Sequence, residues 1–212
     1  MEKSKLNEIF PLVYYINLDE REDRRKETEW ELEEYNIEAE RFEAIKVDEP
    51  RMGCWLSHLR ILEEAREKNQ SVFIFEDDTV ILENKRFKID YSVEELEKLD
   101  WDMFYLGGNI LRPFFQVTDY LARLSHCQST HAYGINIHMI DPIIKTLERF
   151  ISSNLHIDQV YADYIVPNVR AYISHPMLAI QRESYSDILG KVENYGLPTK
   201  RYWHYLITKE ST

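Results

Sequence analysis

Positive charge is scarce in this 212-residue chain: 26 Lys and Arg stand against 38 Asp and Glu, a formal net charge of -12. No broad basic stripe is available to neutralise a phosphate backbone, which argues against nucleic acid as a partner. Cysteine is scarcer still. Cys54 and Cys127 lie far apart without CxxC spacing, which indicates neither a zinc ribbon nor a disulfide framework and predicts two reduced core thiols. No segment has the length or apolarity of a transmembrane helix, and residues 1–10 are polar with no apolar signal core, so a cytoplasmic or similarly reducing setting is expected of the chain as it stands. Linkers rich in Gly, Ser or Pro, internal repeats and low-complexity tracts are also missing. What remains, 44% hydrophobic and 13% aromatic residues, is enough for a sizeable core. A single domain over residues 1–212 is expected, in two parts of about 11–110 and 111–212.

The most informative stretch is 71–82 (SVFIFEDDTVIL). Val72 to Phe75 form an unbroken apolar run, as in a strand buried on both faces of an α/β sheet. Glu76, Asp77 and Asp78 follow at its carboxyl end, the edge where open α/β sheets place ligands. Strand side chains alternate, so Glu76 and Asp78 share one side and Asp77 takes the other. Two same-side carboxylates are hard oxygen ligands for Mn²⁺ or Mg²⁺, with positions left for substrate phosphates. An acidic solvated turn after a core strand is the competing reading. An acidic protein that binds a phosphorylated ligand needs such help, from a metal or from a local arginine cluster.

Upstream, Pro11 to Leu18 (PLVYYINL) predicts a first strand, and Asp19 with Glu22 predicts a capping box opening a helix to about Tyr35. Its first turns carry Arg21, Arg24, Arg25 and Lys26. A helix N-terminus with arginines favours anions, so the Asn17 to Arg25 turn, with Asn17, Asp19, Arg21 and Arg24, is the expected anion site. Arginines paired with neighbouring glutamates on a solvated face are the alternative, most of all for Arg25. Residues 37–45 predict a short strand, and Leu56, Leu59, Leu62 and Ala65 a core-facing helix ending near Asn69. Residues 93–98 predict a short helix, 101–106 (WDMFYL) a buried strand, 112–123 a loop or lid, and 130–140 a strand entering a turn. Asp141 and Pro142 are placed as cap and first residue of a helix to Phe150. Residues 156–166 suit a short helix and 172–180 a last strand. The alternation of strands and helices predicts an α/β fold with a mostly parallel, Rossmann-like sheet flanked by helices.

Four segments in order, Tyr15 to Arg25 (YINLDEREDRR), Gly53 to His58 (GCWLSH), Phe75 to Asp78 (FEDD) and Thr130 to Tyr133 (THAY), resemble glycosyltransferase family 25, the lipopolysaccharide and procollagen galactosyltransferases. The resemblance covers roughly residues 11–187, less tightly at 181–188 (QRESYSDI). It implies a GT-A-like fold, a UDP-sugar donor, usually UDP-galactose, and a divalent metal on a DxD-type motif, here Glu76, Asp77 and Asp78. The motif begins with Glu rather than Asp, which is usual for the family. The implied activity is metal-dependent transfer of a hexose to a hydroxyl of a glycan or glycoprotein acceptor, with inversion. Ser57 and His58 are then placed at the donor pocket, a structural histidine being the other reading of His58. Asp77 is either structural or a contact to ribose or sugar. Asp158 (LHIDQ) matches the position of a late family Asp and is the expected general base, with Asp163 its competitor and helix capping the alternative for both. Many GT-A enzymes complete the metal shell with a late histidine; His175 is the choice here, against a strand-end histidine bonded to backbone. A non-catalytic glycan- or partner-binding module and a metal-dependent phosphohydrolase are the rival functions, the latter lacking a nucleophile elbow or a second ligand cluster.

Overall fold

The computed structural model describes residues 3–82, 86–182, 184–186, 191–193 and 205–207. His204 and most of the aromatic tail lie outside the described residues.

After a short helix, α1 (Leu6–Ile9), the chain runs β1 (Leu12–Asn17), α2 (Glu22–Glu34), β2 (Glu40–Glu43), α3 (Pro50–Lys68), β3 (Val72–Glu76) and β4 (Thr79–Ile81). There follow α4 (Arg86–Leu96), β5 (Met103–Tyr105), β6 (Phe114–Gln116), β7 (Leu121–Arg123), β8 (Ala132–Ile135), α5 (Ile137–Phe150) and α6 (Ile157–Val160). The last strands are β9 (Ala171–Ser174), β10 (Ala179–Gln181), β11 (Ser184–Ser186), β12 (Lys191–Glu193) and β13 (Leu206–Ile207). Nine of them form one sheet in the order β13-β6-β7-β9-β5-β8-β3-β1-β2. Their pairings set seven strands in one direction, with only β8 and β7 running against them. The α/β arrangement expected from the sequence, a mostly parallel sheet flanked by helices, is thus the observed one.

Alternation along the central strands builds two cores, one on each face of the sheet. Tyr14, Ile16, Val72 and Ile74 pack with Trp55, Leu59 and Leu62 of α3 and Ile140, Ile143 and Leu147 of α5. Val13, Tyr15, Phe73 and Phe75 pack with Leu32 of α2 and Val93 and Leu96 of α4. Helix α3 has a proline in its first turn and stops at Asn69, whose left-handed φ of 52° closes it. Close approach requires Gly53 within it: a Cβ there would stand 2.4 Å from the Ile45 carbonyl oxygen. The parallel trio β2-β1-β3 brings the carboxyl ends of β1 and β3 side by side, with Ile16 opposite Glu76.

Four expectations are corrected. Helix α2 is capped by Arg21 with no side-chain bond, so the capping box does not form; the Asp19 carboxylate instead accepts from Arg41 at 3.2 Å. Residues 112–123 are not a loop: β6 and β7 form an antiparallel hairpin, with Phe114 and Leu121 fully buried. Helix α5 begins four residues before Asp141, because its apolar face on the core carries the helix through Pro142. The stretch 172–180 is two strands, since Pro176 cannot donate to a ladder and β10 leaves the main sheet to pair with β4.

Asp102, at the foot of β5, ties this half together. Its carboxylate accepts from Arg170 N–H at 2.6 Å, Arg170 Nη2 at 2.7 Å and His138 Nε2 at 2.8 Å. Burial opposes its ionisation, but the Arg170 side chain and backbone and then His138 outweigh that and hold the carboxyl well below the usual range. A depressed carboxyl contributes stability above its unfolded value, about 4, and loses it as pH falls through the folded one. Asp102→Asn is expected to cost about 1.5–3 kcal/mol at neutral pH. Denaturant unfolding should show the gap from wild type closing at strongly acid pH.

Candidate active site

A cleft of about 640 Å³ opens at the carboxyl ends of β1 and β3, and Glu76, Asp77 and Asp78 all line it. Its chemistry follows from how Asp77 is held. Asn17 Nδ2 donates to Asp77 Oδ2 at 2.8 Å, Arg24 Nη1 bonds Oδ1 at 2.8 Å, and the Thr28 hydroxyl donates to the Asp77 carbonyl at 3.2 Å. Asp77 is therefore engaged with β1 and α2; β3 ends at Glu76, and Asp77 and Asp78 form the turn into β4 rather than continuing the alternation of a strand.

Glu76 and Asp78 occupy the same cleft under different conditions. Glu76 Oε1 accepts from the Thr130 hydroxyl at 2.6 Å and lies 3.4 Å from His58 Nε2. Burial raises its pKa, but the His58 imidazole and the Thr130 bond more than offset this, and the carboxyl is held below its ordinary value. Asp78 has little such help: Gln181 Nε2 reaches Oδ2 only at 3.5 Å, and Oδ1 is sealed from solvent with no partner. Burial first, then the charges of Glu76 and Asp77, push its carboxyl up to about 8. An unpartnered buried carboxylate oxygen beside a second carboxylate suits a hard divalent cation.

Asp158, in the first turn of α6, faces the same cleft. Burial raises its carboxyl, against a 2.8 Å bond from the Gln159 N–H. Its competitor Asp163 is exposed, lies outside the cleft lining and is 3.5 Å from both Arg112 and His126. Ser57 lines the cleft, but its hydroxyl donates to the Gly53 carbonyl and accepts from the Ile45 N–H, each at 2.8 Å, which fixes the loop after β2. His58 is fully buried, with Nδ1 2.9 Å from the Tyr133 hydroxyl.

Asp19 and Arg21 are not among the lining residues; Arg21 pairs with Asp23 at 3.0 Å, and Arg25 with Glu29 at 2.9 Å. His175 is not brought to the cleft either. Its N–H bonds the Tyr120 carbonyl at 2.8 Å, and burial followed by the Lys88 charge lowers its pKa. The sequence reading missed three lining residues with clear duties. Thr130 supports Glu76; Cys54, read as a core thiol, faces the cleft; and Arg51 donates to the Ser153 and Leu155 carbonyls at 2.9 and 2.8 Å, bracing the loop that carries Asp158. Only the spacing of Arg51, Cys54 and His58 along one helix hinted at these roles. Five carboxylates line the cleft (Glu20, Glu76, Asp77, Asp78, Asp158) against Arg24, Lys46 and Arg51, each of which already pairs with an acid.

The geometry defines an α/β protein with an acidic cleft at the carboxyl ends of parallel strands. The profile described as glycosyltransferase family 25 (LPS biosynthesis protein) matches residues 46–133, which include the Gly53 to His58 segment and the acidic triplet. The chain is 38% identical over 147 residues to a rat protein named probable inactive glycosyltransferase 25 family member 3, across 60% of this chain and 26% of the relative. It is 31% identical over 129 residues to procollagen galactosyltransferase 1-A of Xenopus laevis, across 46% of this chain and 21% of the relative. Over residues 46–133 the chain is thus similar to glycosyltransferase family 25, and it spans about a quarter of the length of these relatives. Among solved structures it is similar to a glycosyltransferase involved in glycosylation of the major capsid of PBCV-1, with a TM-score of 0.47 and 13% identity, over 76% of this chain and 80% of that one. No helix among the described residues is long and apolar enough to cross a membrane.

The raised Asp78 carboxyl makes a prediction for the metal-free protein. A carboxyl whose folded pKa lies above its unfolded one stabilises the fold at low pH, and that contribution is lost as pH rises through about 8. In chelator, wild-type melting temperature is expected to fall over this range, while Asp78→Asn loses that part of the pH dependence and is the more stable above it. A variant less stable than wild type at alkaline pH would contradict the assignment.

Proposed function

We propose that this chain is a metal-dependent glycosyltransferase that moves a hexose, galactose in the first instance, from a UDP-sugar to a hydroxyl of a glycan or glycoprotein acceptor, with inversion. The observation that carries the reading is the unpartnered, buried Asp78 Oδ1 beside Glu76 in the strand-end cleft. These two side chains would hold Mn²⁺ or Mg²⁺, which when bound neutralises charge on the leaving nucleoside diphosphate. Relatedness to a family that includes a protein named as a procollagen galactosyltransferase supports the sugar and the acceptor class.

The chain's own residues supply the rest. Asp77, locked by Asn17 and Arg24, keeps the carboxylate pair aimed into the cleft. The Asn17 to Arg25 turn provides the nucleotide side, with Arg24 its lining cation. Asp158 takes the acceptor hydroxyl's proton as that oxygen attacks the anomeric carbon and the C–O bond to UDP breaks. A carboxyl raised by burial is suited to that transfer.

A second reading, a transferase fold that binds without turnover, is favoured by the name of the rat relative, probable inactive. Turnover of UDP-galactose separates the two, and ligand-dependent melting tests the metal bridge. UDP with Mn²⁺ should stabilise the protein by about 2.7 kcal/mol at a hundredfold excess over Kd. UDP with EDTA should give no shift, and equal shifts with and without EDTA would remove the metal bridge. Asp158→Asn should keep the UDP–Mn²⁺ shift while transfer drops about 10²–10⁴-fold. If Asp163→Asn gave that phenotype instead, the base would be Asp163.

A further inference from the structure

Cys54 and His58 stand four residues apart on α3 and so project from one face of the helix. That face meets the end of β3, where one ligand atom from each of Cys54, His58 and Glu76 lies within 4.8 Å of the other two. His58 is fully buried, and its Nε2 has no hydrogen-bond partner although Glu76 Oε1 is 3.4 Å away. The opposite nitrogen, Nδ1, is 2.9 Å from the Tyr133 hydroxyl, which in turn donates to the Tyr161 hydroxyl at 3.2 Å. With the Tyr133 proton directed at Tyr161, Nδ1–H is the donor to Tyr133, and Nε2 is the ring atom turned to the Glu76 carboxylate. A buried nitrogen and a carboxylate oxygen that face each other without a hydrogen bond are placed to share a cation.

We propose that Cys54, His58 and Glu76 form a site for a thiophilic divalent cation of the Zn²⁺ type. One sulfur, one imidazole nitrogen and one carboxylate oxygen make a zinc ligand set, and three protein ligands leave a fourth position open to the cleft. The Tyr133 hydroxyl fixes the imidazole tautomer, as an outer-shell partner does for a metal-bound histidine. Thiolate and carboxylate together balance the 2+ charge, and the thiol proton passes to solvent on binding, so affinity rises with pH. Mn²⁺ and Mg²⁺ prefer oxygen ligands, which leaves Glu76 as the residue shared between a soft site towards Cys54 and a hard pair with Asp78. Competition between Zn²⁺ and Mn²⁺ for Glu76 is a consequence that rests on the glycosyl-transfer reading; the zinc site itself does not.

Co²⁺ titration of the metal-free full chain tests the site by its spectrum. A near-ultraviolet thiolate-to-cobalt band saturating at one equivalent and displaced by Zn²⁺ is expected. Cys54→Ser should abolish the band while leaving the circular dichroism spectrum unchanged. Tyr133→Phe, which keeps the ring and removes the bond to Nδ1, should weaken Zn²⁺ binding about 10–100-fold. Absence of the band in wild type, or its survival in Cys54→Ser, would overturn the proposal. Neither readout involves UDP or sugar transfer, so failure here leaves the glycosyltransferase reading standing, and the reverse holds.

Discussion

The ion pair between Asp77 and Arg24 is the constraint on which the cleft depends. Their side chains are only 12% and 11% exposed, and Asn17 completes the arrangement from β1. Removing one partner of such a buried pair strands the other charge, a far larger loss than breaking a surface salt bridge. The pair joins β1, α2 and the turn between β3 and β4 at one point. Asp77 and Asp78 form that turn, so fixing Asp77 on α2 holds Asp78 in place beside Glu76 at the end of β3.

That arrangement leaves two neighbouring carboxylates with different electrostatic histories. Glu76 is stabilised as an anion by Thr130 and His58, whereas Asp78 is buried beside two acids and favours its proton. The cleft's cations are each paired with an acid, so an incoming diphosphate meets a surplus of negative charge unless a divalent cation comes with it. Asp158 approaches from α6, a separate element braced through Arg51. The two carboxylates proposed for a hard cation, the candidate base and the proposed soft cluster at Cys54 thus share one space while hanging on different parts of the fold.

Much of this was legible in the sequence where a signal was local. The apolar runs of β1 and β3 and the Asn69 stop of α3 follow from short-range rules. The β6–β7 hairpin was not legible, because strands of three residues owe their existence to pairing with β9 and to burial of Phe114 and Leu121. Pro142 misled for a similar reason: packing of α5 overrides a local start signal. The sequence set Arg25 apart as a solvated-face arginine but did not separate Arg21 from Arg24, yet Arg24 turns inward to Asp77 while Arg21, like Arg25, pairs with an acid on its own helix. His175 was chosen among seven histidines by position alone, and only the register of β9 with β5 fixes where that strand end lies.

The most direct test of the central claim is product analysis after mixing the protein with UDP-galactose and Mn²⁺ in the absence of acceptor. Slow, equimolar release of UDP and free galactose, abolished in a folded Asp78→Ala variant, is the result the carboxylate-pair account predicts. Release of inorganic phosphate, or turnover of normal rate in Asp78→Ala, would contradict it.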